Sequence, residues 1–331
     1  MSEELKMKIG ILGTGMIVKD LLTVIDQLCF DYISVLGTEQ TRNETLELKD
    51  RYGLDEVFFD YDAMLASNVD VIYVALPNHL HFSFAQKALN AGKHVIIEKP
   101  IVLSIAELLA LKNIAEAQKC FILEAMNIHY LYPVQLIRKN LKQLGELKLV
   151  SLNYSQYSSR YNDFRQGIIH PAFDPSRGGG AMLDINVYNL HLVVGMFGRP
   201  DSYHYMPNIM NNVDTSGILV LNYPTFKAVC IGAKDCQAPA VSTIQGDKGC
   251  IILESPVNTL TGYKIRFNDG SFVESEQWNG HRLIPEFKEF IRIIESDDFQ
   301  KAAKMLENSI IATEILETVS KQVTKENTHV Q

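Results

Sequence analysis

Cysteine is scarce in this chain. Its five residues (Cys29, Cys120, Cys230, Cys236, Cys250) are odd in number and form no Cys-x-x-Cys pair. That pattern excludes a disulfide framework and a thiolate metal cage, and it reads as the reduced thiols of a cytoplasmic protein; no metal is expected. Long hydrophobic runs are also missing. None approaches the roughly 18 residues needed to cross a bilayer, and the charged opening at residues 1–8 leads straight into a strand without the apolar core of a signal peptide. Basic residues number 31 against 39 acidic ones, a formal charge of −8, with no basic cluster. A broad nucleic-acid footprint is therefore not expected, and neither is a membrane partner. No internal repeat or low-complexity tract is visible. What remains is ordinary: 47% hydrophobic and 21% charged residues over 331 positions, enough chain for two packed domains with a core each.

The first part of the chain has a regular rhythm. Short apolar runs at 8–12, 33–36, 57–59, 69–76, 94–98 and 121–126 read as strands. Between them, 16–28 and 41–52 carry helical spacing, a further helix ends at Ala91-Gly92, and Ser104-Ile105-Ala106-Glu107 is a capping box opening a helix to about Lys119. Strands alternating with helices imply parallel pairing through crossovers. A run as continuously apolar as 69–76 is expected where both faces of a sheet are covered. The fold class is thus α/β, with an N-terminal doubly wound Rossmann sheet in a dinucleotide-binding domain, residues 1–127. After Tyr130 the rhythm changes. A helix at 133–144, a long strand at 147–157 and a loop at 158–180 precede a strongly apolar helix at 181–197. From 201 to 272 strands succeed one another, with turn signals at Asn222-Tyr223-Pro224, Gly246-Asp247-Lys248-Gly249 and Asn268-Asp269-Gly270, and helices at 285–295 and 301–323 close the chain. This second part, 128–331, reads as a C-terminal α+β domain with a largely antiparallel open sheet for substrate binding and oligomerisation, its terminal helix able to pack back on the first domain.

Gly10-Ile11-Leu12-Gly13-Thr14-Gly15-Met16-Ile17-Val18 lies where the first strand meets the first helix. Gly13 permits the tight turn, and Gly15 lets the backbone approach a pyrophosphate that sits on free N–H groups at the start of the helix, with Gly13, Thr14, Gly15, Met16 and Ile17 as the candidate contacts. Gly-x-Gly alone is a weak signal; its place between first strand and first helix strengthens it. Val18 replaces the third small residue of the fingerprint. At the end of the second strand, where an acid would read the ribose hydroxyls, the chain offers Gly37-Thr38-Glu39 with Arg42 beyond. Glu39 suits NAD, whereas Thr38 and Arg42 suit the 2′-phosphate of NADP; the sequence leaves both open.

Ala75-Leu76-Pro77-Asn78-His79-Leu80-His81, then Ala91-Gly92-Lys93-His94-Val95-Ile96-Ile97-Glu98-Lys99-Pro100, carry a more specific signal. With Glu124-Ala125-Met126 and the run from Gly178 to Tyr188, they make the chain resemble the Gfo/Idh/MocA family (glucose-fructose oxidoreductase, inositol dehydrogenase and relatives) over most of its length. The resemblance implies NAD(P)-dependent hydride transfer at a hydroxyl or carbonyl carbon of a sugar, polyol or dihydrodiol-like molecule. It implies nucleotide contacts at Leu76, Pro77, Asn78, His81, Glu98 and Lys99, and a Lys99–Pro100 peptide that is cis. It also implies a second-domain sheet that packs on another subunit, giving a homodimer or homotetramer. Fold-mates include catalytically silent NAD(P)-binding regulators, the alternative reading.

Lys99 ends a strand at the carboxyl edge of a parallel sheet, where ligands bind in this architecture. Asp184 and Tyr188 are four apart on the apolar helix and so share a face. A buried carboxylate needs a partner or a job; for Asp184 the sequence offers Lys99 as partner, or a purely structural role capping or tying the glycine loop. Many relatives carry histidine where this chain has Tyr188. Phenols titrate near pH ~10 and a neighbouring ammonium lowers that, so Tyr188 and Lys99 are expected to relay the proton while Asp184 orients them. Asn127, His129, Tyr157 and Arg177 are candidates for the substrate pocket. His191 reads equally as a substrate contact or a hydrogen-bonded core histidine.

Overall fold

The computed structural model describes residues 7–328, with side chains to 323; residues 1–6, and with them most of the charged opening, lie outside the described residues. Val71, Ile72, Tyr73 and Val74 have no accessible surface at all, as a strand covered on both faces requires. They form β4 (Val71–Val74) of a six-stranded sheet with β1 (Met7–Leu12), β2 (Phe30–Leu36), β3 (Glu56–Phe58), β5 (His94–Glu98) and β6 (Ile122–Ala125). Every pairing is parallel, and the order is β3-β2-β1-β4-β5-β6. Ile9 of β1 faces Ile33 on one side and Val71 on the other. The strand order reverses at β1/β4, the switch point where such sheets bind ligands outside the carboxyl ends of their strands.

The crossovers are α1 (Met16–Leu22), α2 (Arg42–Tyr52), α3 (Tyr61–Ala66), α4 (His81–Asn90) and α5 (Ile105–Gln118). Local chemistry sets their ends. Asp60 accepts the Asp62 N–H at α3, Ser104 accepts the Glu107 N–H at α5 as the capping box predicts, and Gly53 and Gly92 turn left-handed after α2 and α4. The helix expected over 16–28 is shorter: α1 stops at Leu22, and a 3₁₀ turn, Ile25–Gln27, follows. Residues 283–309 cluster with this first unit. They comprise α9 (Ile284–Glu295) and the start of α10 (Phe299–Thr328), with Phe287 edge-on to Tyr73 and Phe299 stacked on Phe121 at 4.2 Å between centroids.

The second unit, 126–282 and 310–331, holds α6 (Tyr132–Asn140), α7 (Tyr161–Arg165), α8 (Val187–Phe197) and an eight-stranded sheet: β7 (Leu147–Ser155), β8 (Ser202–Met210), β9 (Val213–Asn222), β10 (Lys227–Ala233), β11 (Ser242–Gly246), β12 (Gly249–Leu253), β13 (Lys264–Phe267) and β14 (Phe272–Glu274). The order is β14-β13-β12-β11-β7-β10-β9-β8, antiparallel except for the central β7/β10 pair. Asn211 and Asn212, both at positive φ, make the tight β8–β9 turn. Alternation along the strands sorts the faces. Val150, Leu152, Leu219, Leu221, Cys230, Ile244 and Ile251 are buried with Leu190, Val193 and Val194 of α8 in one core. The opposite face carries Leu149, Met206 and Ile218, each more than a third exposed. No helix among the described residues is long and apolar enough to cross a membrane.

Candidate active site

Gly13 follows β1 directly. Its φ is +102°, a Cβ there would stand 2.9 Å from the Ala75 carbonyl oxygen, and its N–H donates to Leu36 O at 2.9 Å. Only glycine fits. Gly15, the N-cap of α1, meets nothing within 4 Å on its Cβ side. Backbone left bare above open space is what a pyrophosphate requires of this turn, so the loop fits the nucleotide the sequence implies. Thr14 is held from α2: its hydroxyl donates to Glu44 Oε2 at 2.8 Å, and Lys19 pairs with the other oxygen of Glu44 at 2.5 Å. The Lys19 ammonium and the Thr14 hydroxyl keep the Glu44 carboxyl below its ordinary range. Met16 is exposed and Val18 buried. Past β2, Thr38 caps a 3₁₀ turn through Thr41, while Arg42 forms a two-bonded pair with Glu39 and lies 3.9 Å from the centre of the Phe59 ring. Glu39 and Arg42 are thus bonded to each other at the surface, and Thr38 to Thr41.

Lys99 follows β5, and the Lys99–Pro100 peptide is cis. Glu98 accepts Tyr73 OH at 2.5 Å on one oxygen and the Lys99 N–H at 3.2 Å on the other. His81, expected to contact nucleotide, has no accessible surface. Its Nε2 lies 2.8 Å from Leu76 O and its Nδ1 3.0 Å from Pro100 O. It acts as a tie between the Leu76–Asn78 turn and the Lys99 turn, a correction whose physical reason is complete burial. Burial also lowers the imidazole pKa, against the pull of the carbonyls and Glu124.

Glu124 on β6 is buried and accepts the Ile101 N–H at 3.1 Å. Burial pushes its carboxyl up to about 7, opposed by Ser309, Ile101, His81 and Lys99. A raised carboxyl pKa stabilises the fold fully below the ordinary value of 4.5, and that stability is lost as pH rises through about 7. Glu124→Gln is therefore expected to gain on the wild type by up to about 3 kcal/mol across that window. Urea unfolding of both proteins as a function of pH measures it; a difference that stays constant with pH contradicts it.

In the second unit the helix expected at 181–197 is two elements. Met182–Asn186 is a π-helical turn, and α8 starts at Val187. Such turns shift the register of side chains and gather at functional sites. Buried amides seat this seam on β10. Asn186 Nδ2 donates to Cys230 O, Asn189 Nδ2 to Ile231 O and to Asn186 Oδ1, and Gly232 leaves room where a Cβ would stand 2.6 Å from that of Asn186. Leu183, Asp184, Ile185 and Tyr188 remain part-exposed while Met182, Asn186, Val187 and Asn189 are buried. The Tyr188 ring packs against the core, 6.1 Å from the Tyr154 ring.

Within this unit the Asp184 carboxylate has a partner the sequence did not suggest. Lys234 Nζ donates to its Oδ2 at 2.7 Å, and the lysine side chain is 2% accessible. Lys234 follows β10 in Gly-Ala-Lys-Asp, which reads as a solvated turn, so no sequence signal marked it. Asp214 was likewise unmarked: it accepts Tyr205 OH at 2.6 Å and the Met182 N–H at 2.7 Å, and burial raises its carboxyl to about 6.

The pocket candidates separate. His191 is 1% accessible, 3.4 Å from His129 through ring nitrogens, and burial drives it down to about 3; it is a neutral core histidine. Asn127 is buried and donates to Asn258 O, so its amide is structural. Tyr157 is exposed and donates to Asn162, and Arg177 pairs with Asp174 on the loop at 3.3 Å.

Residues 7–125 match the model of an oxidoreductase family with an NAD-binding Rossmann fold, Gfo/Idh/MocA. Over 280 residues the chain is 30% identical to scyllo-inositol 2-dehydrogenase (NADP(+)) IolU of Bacillus subtilis (strain 168), covering 84% of this chain and 85% of that one. It is 25% identical to the D-xylose 1-dehydrogenase (NADP(+)) of Hypocrea jecorina over 96% of this chain and 92% of the other. Among solved structures, the 3-ketoreductase KijD10 of Actinomadura kijaniata, in complex with TDP-benzene and NADP, matches with a TM-score of 0.78 over 93% of this chain and 96% of that one. At 18% identity that is a likeness of fold.

Proposed function

We propose, from the premise that the chain belongs to the Gfo/Idh/MocA family and is an NAD(P)-dependent oxidoreductase, that it oxidises a secondary alcohol of a cyclic polyol or sugar, or reduces the matching ketone, with NADP(H). The part-exposed Asp184 and Tyr188 on the π-turn seam carry this reading, together with the relatives' action on an inositol and a pentose. Residues 1–127 serve the dinucleotide and 128–331 the substrate. Gly13, Thr14, Gly15, Met16 and Ile17 would hold the pyrophosphate, and Leu76, Pro77 and Asn78 the nucleotide beyond it. When bound, the nicotinamide supplies the acceptor or donor of hydride.

The chain's own residues manage the proton. In oxidation the hydroxyl proton passes to the Tyr188 phenolate as hydride leaves the carbinol carbon, giving the phenol; in reduction the Tyr188 phenol returns that proton to the forming alkoxide and is left as phenolate. Asp184 orients the hydroxyls, and Lys99 is a candidate member of the proton relay. Turnover with NADP⁺ of at least one member of a panel of inositols, aldoses and cyclic diols tests this reading, and a blank panel with proven cofactor binding rejects it.

NADP is favoured because no acid ends β2 and Arg42 stands beyond it. Arg42→Ala is expected to weaken NADPH binding roughly 10- to 100-fold, the usual worth of one charge-assisted pair, and NADH binding by less than about twofold. Equal losses in calorimetry would remove Arg42 from the 2′-phosphate. Free thiols at all five cysteines support a cytoplasmic site of action. Leu149, Met206 and Ile218, on the sheet face away from the core, support a homodimer or homotetramer through that face. A monomer by sedimentation would end that proposal.

A further inference from the structure

Two segments of the second unit, the π-turn and the 158–180 loop, meet on one ammonium. Lys234 Nζ donates to Asp184 Oδ2 on the π-turn at 2.7 Å and to Ala172 O at 2.5 Å, and lies 4.3 Å from the centre of the Phe173 ring. Its backbone is fixed as firmly: its N–H donates to Thr215 O at 2.8 Å, and its carbonyl accepts the Ser158 N–H at 2.9 Å. The loop from 158 to 180 is therefore bonded to this single residue at its start and again at Ala172–Phe173. Phe173 in turn stacks on Phe164 at 4.7 Å, so the loop has its own small core.

Burial is divided unevenly across the ion pair, 2% accessible for the lysine and 37% for the aspartate. A lysine enclosed to this degree carries a desolvation cost of several kcal/mol unless it is paired. A surface tie between loop and helix needs no such group, since exposed pairs serve at little cost. The arrangement does what a surface pair does not: it fixes one oxygen of a carboxylate from behind while the residue keeps an accessible side. Asp184 pairs with the ammonium, and Asp214 of β9 interacts with it electrostatically.

We propose that Lys234 is a positioning residue for the reaction: it holds Asp184 oriented and ionised, and with the same ammonium docks the Ala172–Phe173 stretch of the 158–180 loop onto the π-turn. The geometry of the carboxylate and the closure of the loop are thereby set together. This rests on the reading of Asp184 as part of the catalytic machinery.

The test compares Lys234→Met, Asp184→Asn and the double variant in the full-length chain. Lys234→Met is expected to lower kcat on the order of 10- to 100-fold, the effect of a misplaced catalytic group, with the KM for NADP⁺ within about twofold of wild type because the dinucleotide residues lie in the other unit. The acid limb of the kcat/KM profile should move to higher pH, since a carboxylate without its ammonium ionises less readily. The double variant should be no slower than Asp184→Asn alone. Unchanged kcat and pH profile in Lys234→Met, or additive losses in the double variant, overturn the proposal.

Two readouts stand apart from turnover. Carboxyl-carbon NMR should find Asp184 titrating higher in Lys234→Met than in wild type, and hydrogen exchange should be faster over 170–180. If Lys234→Met does not fold, the double variant removes both charges and keeps the exchange measurement available. Should the wild type turn over nothing, the functional reading fails separately; NMR and exchange unchanged by the substitution would then overturn the positioning role itself.

Discussion

Replacing Tyr188 by phenylalanine is expected to lower kcat by about 10²- to 10⁴-fold, the range for loss of a general acid–base group, and to leave NADPH binding within about twofold. The reasoning is local. The Tyr188 ring packs against the second-unit core and beside Tyr154, and phenylalanine preserves that packing, so the substitution removes a hydroxyl and little else. Rapid-quench or steady-state kinetics on the best substrate of the polyol panel measures the effect. Loss in both kcat and kcat/KM, with cofactor affinity intact, marks an interaction made in the transition state. Full turnover in the variant would take the proton-transfer role from Tyr188.

Gly180→Ala is the largest stability effect expected. Gly180 has φ +124°, a region L-residues rarely enter, and a Cβ there would stand 2.1 Å from Asp214 Oδ1. Asp214 cannot swing aside cheaply, because Tyr205 OH and the Met182 N–H both hold its other oxygen. Backbone strain of about 1–2 kcal/mol adds to displacement of a buried, bonded carboxylate, itself about 1–3 kcal/mol. A loss of roughly 2–5 kcal/mol follows, confined to the second unit. Urea unfolding with probes in each unit should find the second unit's transition shifted to lower urea and the first unit's less affected. A loss below about 1 kcal/mol would mean that the loop rearranges freely around Asp214.

The six-stranded sheet was readable from sequence because its strands are covered on both faces. Val71–Val74 shows four apolar residues in a row, and the capping box at Ser104 and the glycines at 53 and 92 punctuate the helices by chemistry that acts locally. Gly13 was legible for the same reason, since a positive φ next to a strand end leaves few residues to choose from. The π-turn was not. Residues 182–197 are apolar nearly all round, so no periodicity marks the change of winding at Val187, and the seam depends on Asn186 and Asn189 meeting carbonyls of a strand some 40 residues on. Lys234 was hidden by the same kind of distance: its burial depends on Asp184, Ala172 and Phe173 arriving from 50 to 62 residues earlier. Lys99 and Asp184 were paired on the principle that a buried carboxylate finds a cation; Asp184 is part-exposed, and within its own unit its carboxylate is held by Lys234, which the sequence did not mark. His81 was expected at the nucleotide from the family resemblance and is instead enclosed between two carbonyls, while of the two readings open for His191 the structure shows the core histidine, beside His129.

The central claim is that this chain binds a nicotinamide dinucleotide on the Gly13–Ile17 turn and passes hydride to or from a hydroxyl-bearing carbon. Calorimetric titration of the full-length protein with NADPH, alongside Gly15→Trp to fill the open space above that turn, tests it most directly. The account predicts saturable one-to-one binding by the wild type and none by the variant, with both proteins folded. Absence of NADPH and NADH binding to the wild type, or undiminished binding to Gly15→Trp, would contradict it.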